Sequence, residues 1–407
     1  MTRVVTTASV ALSVAILVSS APPAAAATLS VLYSFKNAGY GHPTGRLFFH
    51  DGSLFGTGEG TGIAPKGCGQ VFELTQSGSS WKASSRLKFN GADGCTPFDG
   101  LISDSHGVLY GTAGNGDAFG GGNVFGLQKT GVGWVHGTIW AFGNGDDGES
   151  PDCDLIMDSS GNLYGTTSAG GTAFDGTVFE LSVSGGVWTE TVLHNFSGSD
   201  GYAPAAGLLM DKTGTLYGTT AAGGVMTECA GYGCGTVFAL TPGGGGWTFS
   251  SLHTFHGGTD GAEPLAALVE GSNGVLYGTT SNGNFRGSGY GNVFKLSQSG
   301  GVWKEKVLYN FTGGTDGGTP NAALHWNGAG GLYGTTEFGG TFNNGTVYQL
   351  TESGGAWSEI VLHSFGTSGS DGKNPNGAVI LDKSGNLYGT TLFGGTYGNG
   401  TVWEAVP

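Results

Sequence analysis

The sequence predicts an all-β protein, a seven-bladed β-propeller with four antiparallel strands per blade, closed by its own N-terminal strand. Three observations predict it. A Leu-aromatic-Gly triplet recurs seven times, with its aromatic at Phe55, Tyr110, Tyr164, Tyr217, Tyr277, Tyr333 and Tyr388 and gaps of 55, 54, 53, 60, 56 and 55 residues; a sustained period of this size marks a repeat architecture. Each full copy divides into four short β-branched and aromatic runs between Gly, Asp and Asn clusters, the pattern of strands joined by turns. The two ends of the repeated region are incomplete in complementary ways.

One copy gives the elements in order. The first strand reads AGLLMD (206–211) and is followed by the turn KTG and a second strand, TLYGTT (215–220). After a Gly-rich loop come a third strand, GTVFAL (235–240), the turn TPGGGG and a fourth strand, WTFSSLHTF (247–255). The runs are apolar on both faces, as expected of a sheet packed between two similar sheets. The aromatic of each triplet is expected to fill the space between blades, and its glycine to admit a close backbone.

At the start of the repeats, TLSVLYSF (28–35) matches the fourth strands TETVLHNF (189–196), KEKVLYNF (304–311) and SEIVLHSF (358–365), but no first three strands precede it. At the end, GAVILD (377–382), NLYGTT (386–391) and GTVWEA (400–405) are three strands without a fourth. An open stack would need polar end caps; here residues 28–35 complete the last blade and the ring leaves no edge exposed. Four strands per repeat in a closed ring describe a propeller.

The first residues, MTRVVTTASVALSVAILVSSAPPAAAA, have an early arginine, a short apolar run and small residues ending in Ala24 to Ala27. This is the pattern of a secretory signal peptide over residues 1–27, leaving 28–407 as a single propeller domain that is secreted or periplasmic. Glycine contributes 84 of 407 residues, but its interleaving with Leu, Val, Tyr, Phe and Trp argues against disorder. A formal net charge of -15 disfavours nucleic acid and anionic membranes as partners.

The segment DKSGNLYGTTLFGGTYGNGTVWEAVP (382–407), with six looser versions of it, resembles the Gloeo/Verruco (GloVer) tandem repeats of exported bacterial proteins. The succession LYGTT, GG, GTVFEL carries the resemblance across essentially the whole mature chain. Family members often carry a sorting anchor after the repeats; no such segment follows here, so release from the cell is expected. The resemblance implies class and location rather than an activity.

Two sets of loops fall on one face: those between second and third strands, and those joining blades. The joining loops carry Asp93, Asp147, Asp200, Asp260, Asp316 and Asp371, each just before Gly or within a Gly-rich turn, with Gly39 in the first copy. Clustered oxygen ligands suit calcium, and a structural calcium is one reading of these six; turn capping by Asp is the favoured one. No other cofactor or metal is expected.

Residues that break the repeat are better candidates for a site. At the start of the innermost strand most copies carry Gly100, Gly207, Ala267, Ala323 or Ala378, but two carry Arg46 and Asp154. Asp99, Asp152 and Asn321 lie nearby in sequence. Such a group at the mouth of a central channel suits a sugar or charged small molecule, and paired carboxylates can do acid-base work. His194, His253 and His363 repeat and read as outer-strand residues, whereas His42 and His256 sit in joining loops on the candidate face. G-x-S-x-G, H-E-x-x-H and phosphate-loop motifs are absent.

The cysteines Cys68, Cys95, Cys153, Cys229 and Cys234 all fall in loops of this face. Export permits disulfides. Cys229–Cys234 is the expected pair; Cys68–Cys95 is a second, with Cys95–Cys153 as its competitor, and one cysteine remains unpaired.

The favoured function is a monomeric binding or scaffolding module whose Gly/Asp-rich face takes a carbohydrate, cell-surface component or protein. The alternative is a polysaccharide lyase or hydrolase using Arg46, Asp99, Asp154, and His42 or His256 at the channel mouth; the repeat-breaking Arg46, Asp99, Asp152 and Asp154 all belong to the first three blades. Both occur on propellers.

Overall fold

The computed structural model describes residues 27–61, 67–283 and 289–407. The signal peptide expected over 1–27 lies outside the described residues, apart from Ala27. The rest forms seven four-stranded antiparallel sheets, each ordered first to fourth strand as in the chain, numbered blades 1 to 7 from the N-terminus. Blade 3 is representative: Ile156–Met157, Leu163–Thr167, Thr177–Ser184 and Val187–Asn195.

Blade 7 takes its outermost strand from the other end of the chain. Thr28–Ser34 pairs antiparallel with Thr401–Val406, placing Leu29 opposite Ala405 and Val31 opposite Trp403. The expected closure is therefore present. It converts two edges into one ladder, which is the physical reason the end copies are incomplete.

The apolar residues of adjacent blades merge at each junction. Tyr110, Val124 and Phe142 of blade 2, for example, form one buried cluster with Leu155, Leu163 and Phe179 of blade 3. The triplet aromatic does reach the next blade: Tyr164 meets the edge of Trp247 at 6.1 Å between ring centres. The triplet glycine works differently from the expectation. A Cβ on Gly165 would lie 2.6 Å from Cζ of Phe179, the residue paired with it on the third strand of the same blade. The glycine makes room for a ring of its own sheet, not for a facing backbone.

The two threonines after the triplet have separate tasks. Thr166 Oγ1 donates to the Ala206 carbonyl of the next blade at 2.9 Å, while Thr167 Oγ1 shares a 2.9 Å hydrogen bond with Thr177 Oγ1 inside its own sheet. At the closure, Thr390 Oγ1 reaches the Gly45 carbonyl at 3.5 Å. The first strand is shorter than its sequence suggests, Leu209–Met210 rather than 206–211. Residues 206–208 leave the ladder because Ala206 is bonded to the preceding blade.

In every blade the pairing of third and fourth strands slips by one residue at the same place, as at Leu193 between Val192 and His194. Such a bulge adds twist and bends the outer strand.

Candidate functional site at the channel mouth

The face is stitched together by its loops. Asp93, Asp147, Asp200, Asp260, Asp316 and Asp371 each accept a backbone N–H of their own turn at 2.7–3.0 Å, so the capping geometry expected of Asp at a turn is present at all six. Cys229–Cys234 and Cys68–Cys95 are disulfides, and Cys153 is a buried free thiol. Cys95–Cys153, the competing pairing, does not form.

A second regularity sits beside these turns. Each joining loop carries a proline, and the residue before it has positive φ: His42, Thr96, Ser150, Ala203, Glu263, Thr319 and Asn374, at +52° to +59°. That conformation is strained for non-glycine residues. It turns the chain so that the two residues after the proline run down the channel wall. His42 N donates to the Asn399 carbonyl of blade 7, and its own carbonyl accepts from Glu59 N, so the strained residue is held from both sides.

The residues directly after the seven prolines, Thr44, Phe98, Asp152, Ala205, Leu265, Asn321 and Asn376, all line a cavity of about 510 Å³ at the channel mouth. Its polar residues are Thr44, Asp152, Asn321 and Asn376, joined by Glu59 and Asn115; of the apolar ones, Phe98 stands between Thr44 and Asp152, and Ala205 and Leu265 between Asp152 and Asn321. Two residues further along each loop comes a second layer, around a void of about 50 Å³ that shares Thr44, Asp99, Leu265, Asn321 and Asn376 with the cavity above.

In that lower layer the two repeat-breaking residues find each other. Arg46 Nε donates to Asp154 Oδ2 at 3.1 Å, and Gly100 N donates to Asp154 Oδ1 at 2.6 Å. Attraction by Asp154 raises the guanidinium pKa further above its ordinary value. The remaining positions of the layer must be small: a Cβ on Gly207 would come 2.9 Å from the Cβ of Asp154.

The carboxyl groups above lack such a cation. Burial, then the charges of Asp154 and Asp152, push Asp99 well above the ordinary carboxylate range, with Arg46 acting the other way. Burial pushes Asp152 up to about 6, opposed by Ser168, whose hydroxyl lies 3.4 Å from Oδ2. Glycine at 114 leaves space for this carboxylate, since a Cβ there would overlap Asp152 Oδ1. Burial likewise raises Glu59, with His42 opposing and Asp152 assisting.

The structure thus gathers Arg46, Asp99, Asp152 and Asp154 at the channel axis. His42 is not among the lining residues; its carbonyl accepts from Glu59 N, its imidazole opposes the rise of Glu59, and its Nδ1 lies 2.9 Å from the Gly60 carbonyl. His256 is not among the residues lining the cavity, and its Nδ1 faces Glu228 at 2.9 Å. Glu59, Phe98, Asn115 and Asn376 were missing from the sequence-based set. Aligning the seven copies on the proline brings out Phe98 and Asn376, and aligning them on Gly-Thr-Thr brings out Glu59.

A sequence profile of the Gloeobacter/Verrucomicrobia repeat matches residues 17–231, 133–328 and 224–407. No curated protein matches the sequence. Among solved structures, a Bacteroides uniformis protein assigned as a 6-phosphogluconolactonase is 13% identical and superposes with a TM-score of 0.51, covering 81% of this chain and 88% of its own. A protein assigned as a gluconolactonase is 12% identical over 94% of this chain and 92% of its own, with a TM-score of 0.45. A Thermus thermophilus protein assigned as an oxidoreductase (glucose dehydrogenase) is 14% identical over 93% of this chain and 100% of its own, also with a TM-score of 0.45. At these identities the first likeness concerns the fold alone, and the other two are too distant to argue from.

Proposed function

Because the chain belongs to the Gloeobacter/Verrucomicrobia repeat family and closes into a propeller with a pocket of mixed polarity on its axis, we propose that it is an exported saccharide-binding protein. One sugar unit sits in the channel-mouth cavity. The observation that carries this reading is the ring of residues following the seven prolines, in which hydrogen-bonding side chains are interspersed with the apolar Phe98, Ala205 and Leu265. A pyranose has the matching anatomy, with hydroxyls around its edge and C–H groups on its faces, and Phe98 supplies a ring against which such a face can pack.

The charge pattern narrows the ligand. Arg46 is committed to Asp154, and the other polar side chains of the cavity are carboxyl, carboxamide and hydroxyl groups, so a neutral sugar fits better than an anionic one. Among the described residues, the loops between second and third strands expose aromatics in blades 2 to 7: Phe119, Phe174, Tyr232, Tyr290, Phe338 with Phe342, and Phe393 with Tyr397. These offer further stacking surface to a polymer extending from the pocket. Two disulfides suit an oxidising, extracytoplasmic compartment, and no described helix is long and apolar enough to cross a membrane.

A glycan panel tests the proposal, read for retention and for product. Retention of a neutral glycan that Phe98→Ala and Asn321→Ala each weaken about tenfold is expected; retention of none rejects it. A second reading, a hydrolase or lyase, is favoured by Asp152, pushed up to about 6 beside a second raised carboxyl at Asp99. A group near that value can act as a general acid. Product formation that Asp152→Asn abolishes would select this reading.

A further inference from the structure

Away from the channel, the rim of the disk carries a set of side chains with no part in the site above. At six of the seven blade junctions the joining loop brings an aspartate beside one position near the end of a fourth strand and one on the next blade's fourth strand; the seventh has Gly39 there. Between blades 4 and 5 these are His253 on Gly246–Thr254, Asp260 in the loop, and Glu305 on Val302–Asn310. One ligand atom from each lies within 4.8 Å of the other two.

We propose that His253, Asp260 and Glu305 bind a first-row divalent metal ion, zinc in the first instance, which ties blade 5 to the loop leaving blade 4. Metal–nitrogen and metal–oxygen bonds of roughly 2.0–2.2 Å place the donors of a tetrahedral site about 3.5 Å apart, so a small inward movement of these side chains suffices. Each donor is already steered. The His253 ring packs edge-on against Phe255 at 4.7 Å, and its Nε2 lies 3.2 Å from Asp260 Oδ1. The other Asp260 oxygen accepts His256 N at 2.7 Å, which leaves Oδ1 for the ion. Glu305 Oε1 is buried and has no hydrogen-bond partner, a condition that calls for one.

The other junctions serve as internal controls. Those between blades 2 and 3 and between 5 and 6 keep the two carboxyls, Asp147 with Glu190 and Asp316 with Glu359, but place Trp140 and Tyr309 where His253 stands. The same unpartnered oxygen recurs at Glu190 and Glu359, so the orphan oxygen alone does not distinguish the site. Junctions 3 to 4 and 6 to 7 keep a histidine and aspartate, His194 with Asp200 and His363 with Asp371, but oppose them with Phe249 and Leu29. Among the described residues, only junction 4 to 5 combines imidazole and two carboxylates. One nitrogen and two oxygen donors suit a first-row ion, whereas calcium takes six to eight oxygens.

The test uses untagged protein stripped with EDTA and titrated with zinc chloride by calorimetry, with bound metal counted after gel filtration. One zinc per chain and a raised Tm are expected. His253→Tyr and Glu305→Phe import the residues that equivalent positions already hold, Tyr309 and Phe249, so folding should survive; each should weaken zinc binding at least tenfold. Glu359→Gln should leave it unchanged. Failure of the wild type to retain zinc overturns the proposal, as does equal retention by His253→Tyr or calcium binding as tightly as zinc.

Discussion

Arg46 donates to Asp154 at 3.1 Å although the first belongs to blade 1 and the second to blade 3. The pair spans blade 2, whose own contribution at this level is Gly100, and its N–H completes the carboxylate's bonding. The side chains are only partly exposed, 36% for Arg46 and 21% for Asp154, so neither is fully compensated by water if the other is lost. Arg46→Ala leaves Asp154 and Asp99 facing each other without a cation and should destabilise by about 2 kcal/mol. Asp154→Ala should cost about as much, and the double variant less than the sum of the two. Urea midpoints of the four proteins complete the cycle; additive losses would show that the pair does not interact.

Val31 opposite Trp403 is the contact through which the ring closes. Trp403 is fully buried and packs with Leu387, Ala405 and Phe365, so removing the strand over it exposes a large apolar surface, roughly 1.5–3 kcal/mol for each buried side chain uncovered. A chain lacking residues 28–35 should melt at lower temperature, with tryptophan emission shifted to the red. A synthetic peptide of those residues should restore both when added in excess. An unchanged Tm would mean that the closing ladder contributes nothing.

The fold was legible because its period is written in residues that must be large, such as Tyr164, and others that must be small, such as Gly165, and because the two end deficits match. The role of Gly165 was misread, since sequence does not say whether a backbone or a ring occupies the space beside it; that depends on the pairing of Gly165 with Phe179. Arg46 and Asp154 stood out as departures from a column of Gly and Ala, yet their meeting depends on a ring geometry no linear spacing encodes. Phe98 and Asn376 stayed hidden because each looks ordinary in its own copy. Only the shared position after a proline, preceded by a residue at positive φ, puts them on one wall. His256 carried a correct loop assignment, but its imidazole faces Glu228 instead of the axis.

Asp152 gives the pocket a pH signature. Burial raises it from an ordinary 3.8 to about 6, so between these values the folded chain binds more protons at this group than the unfolded one. Stability from Asp152 is therefore fully present below about pH 4 and is lost as pH rises through about 6, in all on the order of 2–3 kcal/mol. Glu59 and Asp99 face the same cavity and also bind protons more readily than usual, so the wild-type profile alone would mix three groups. The difference between wild type and Asp152→Asn isolates one. Urea midpoints measured from pH 4 to 7.5 should show the asparagine variant gaining on the wild type across the interval and levelling off above pH 7. A constant difference would mean that Asp152 is ionised at ordinary acidity, and the general-acid reading built on it would lose its support.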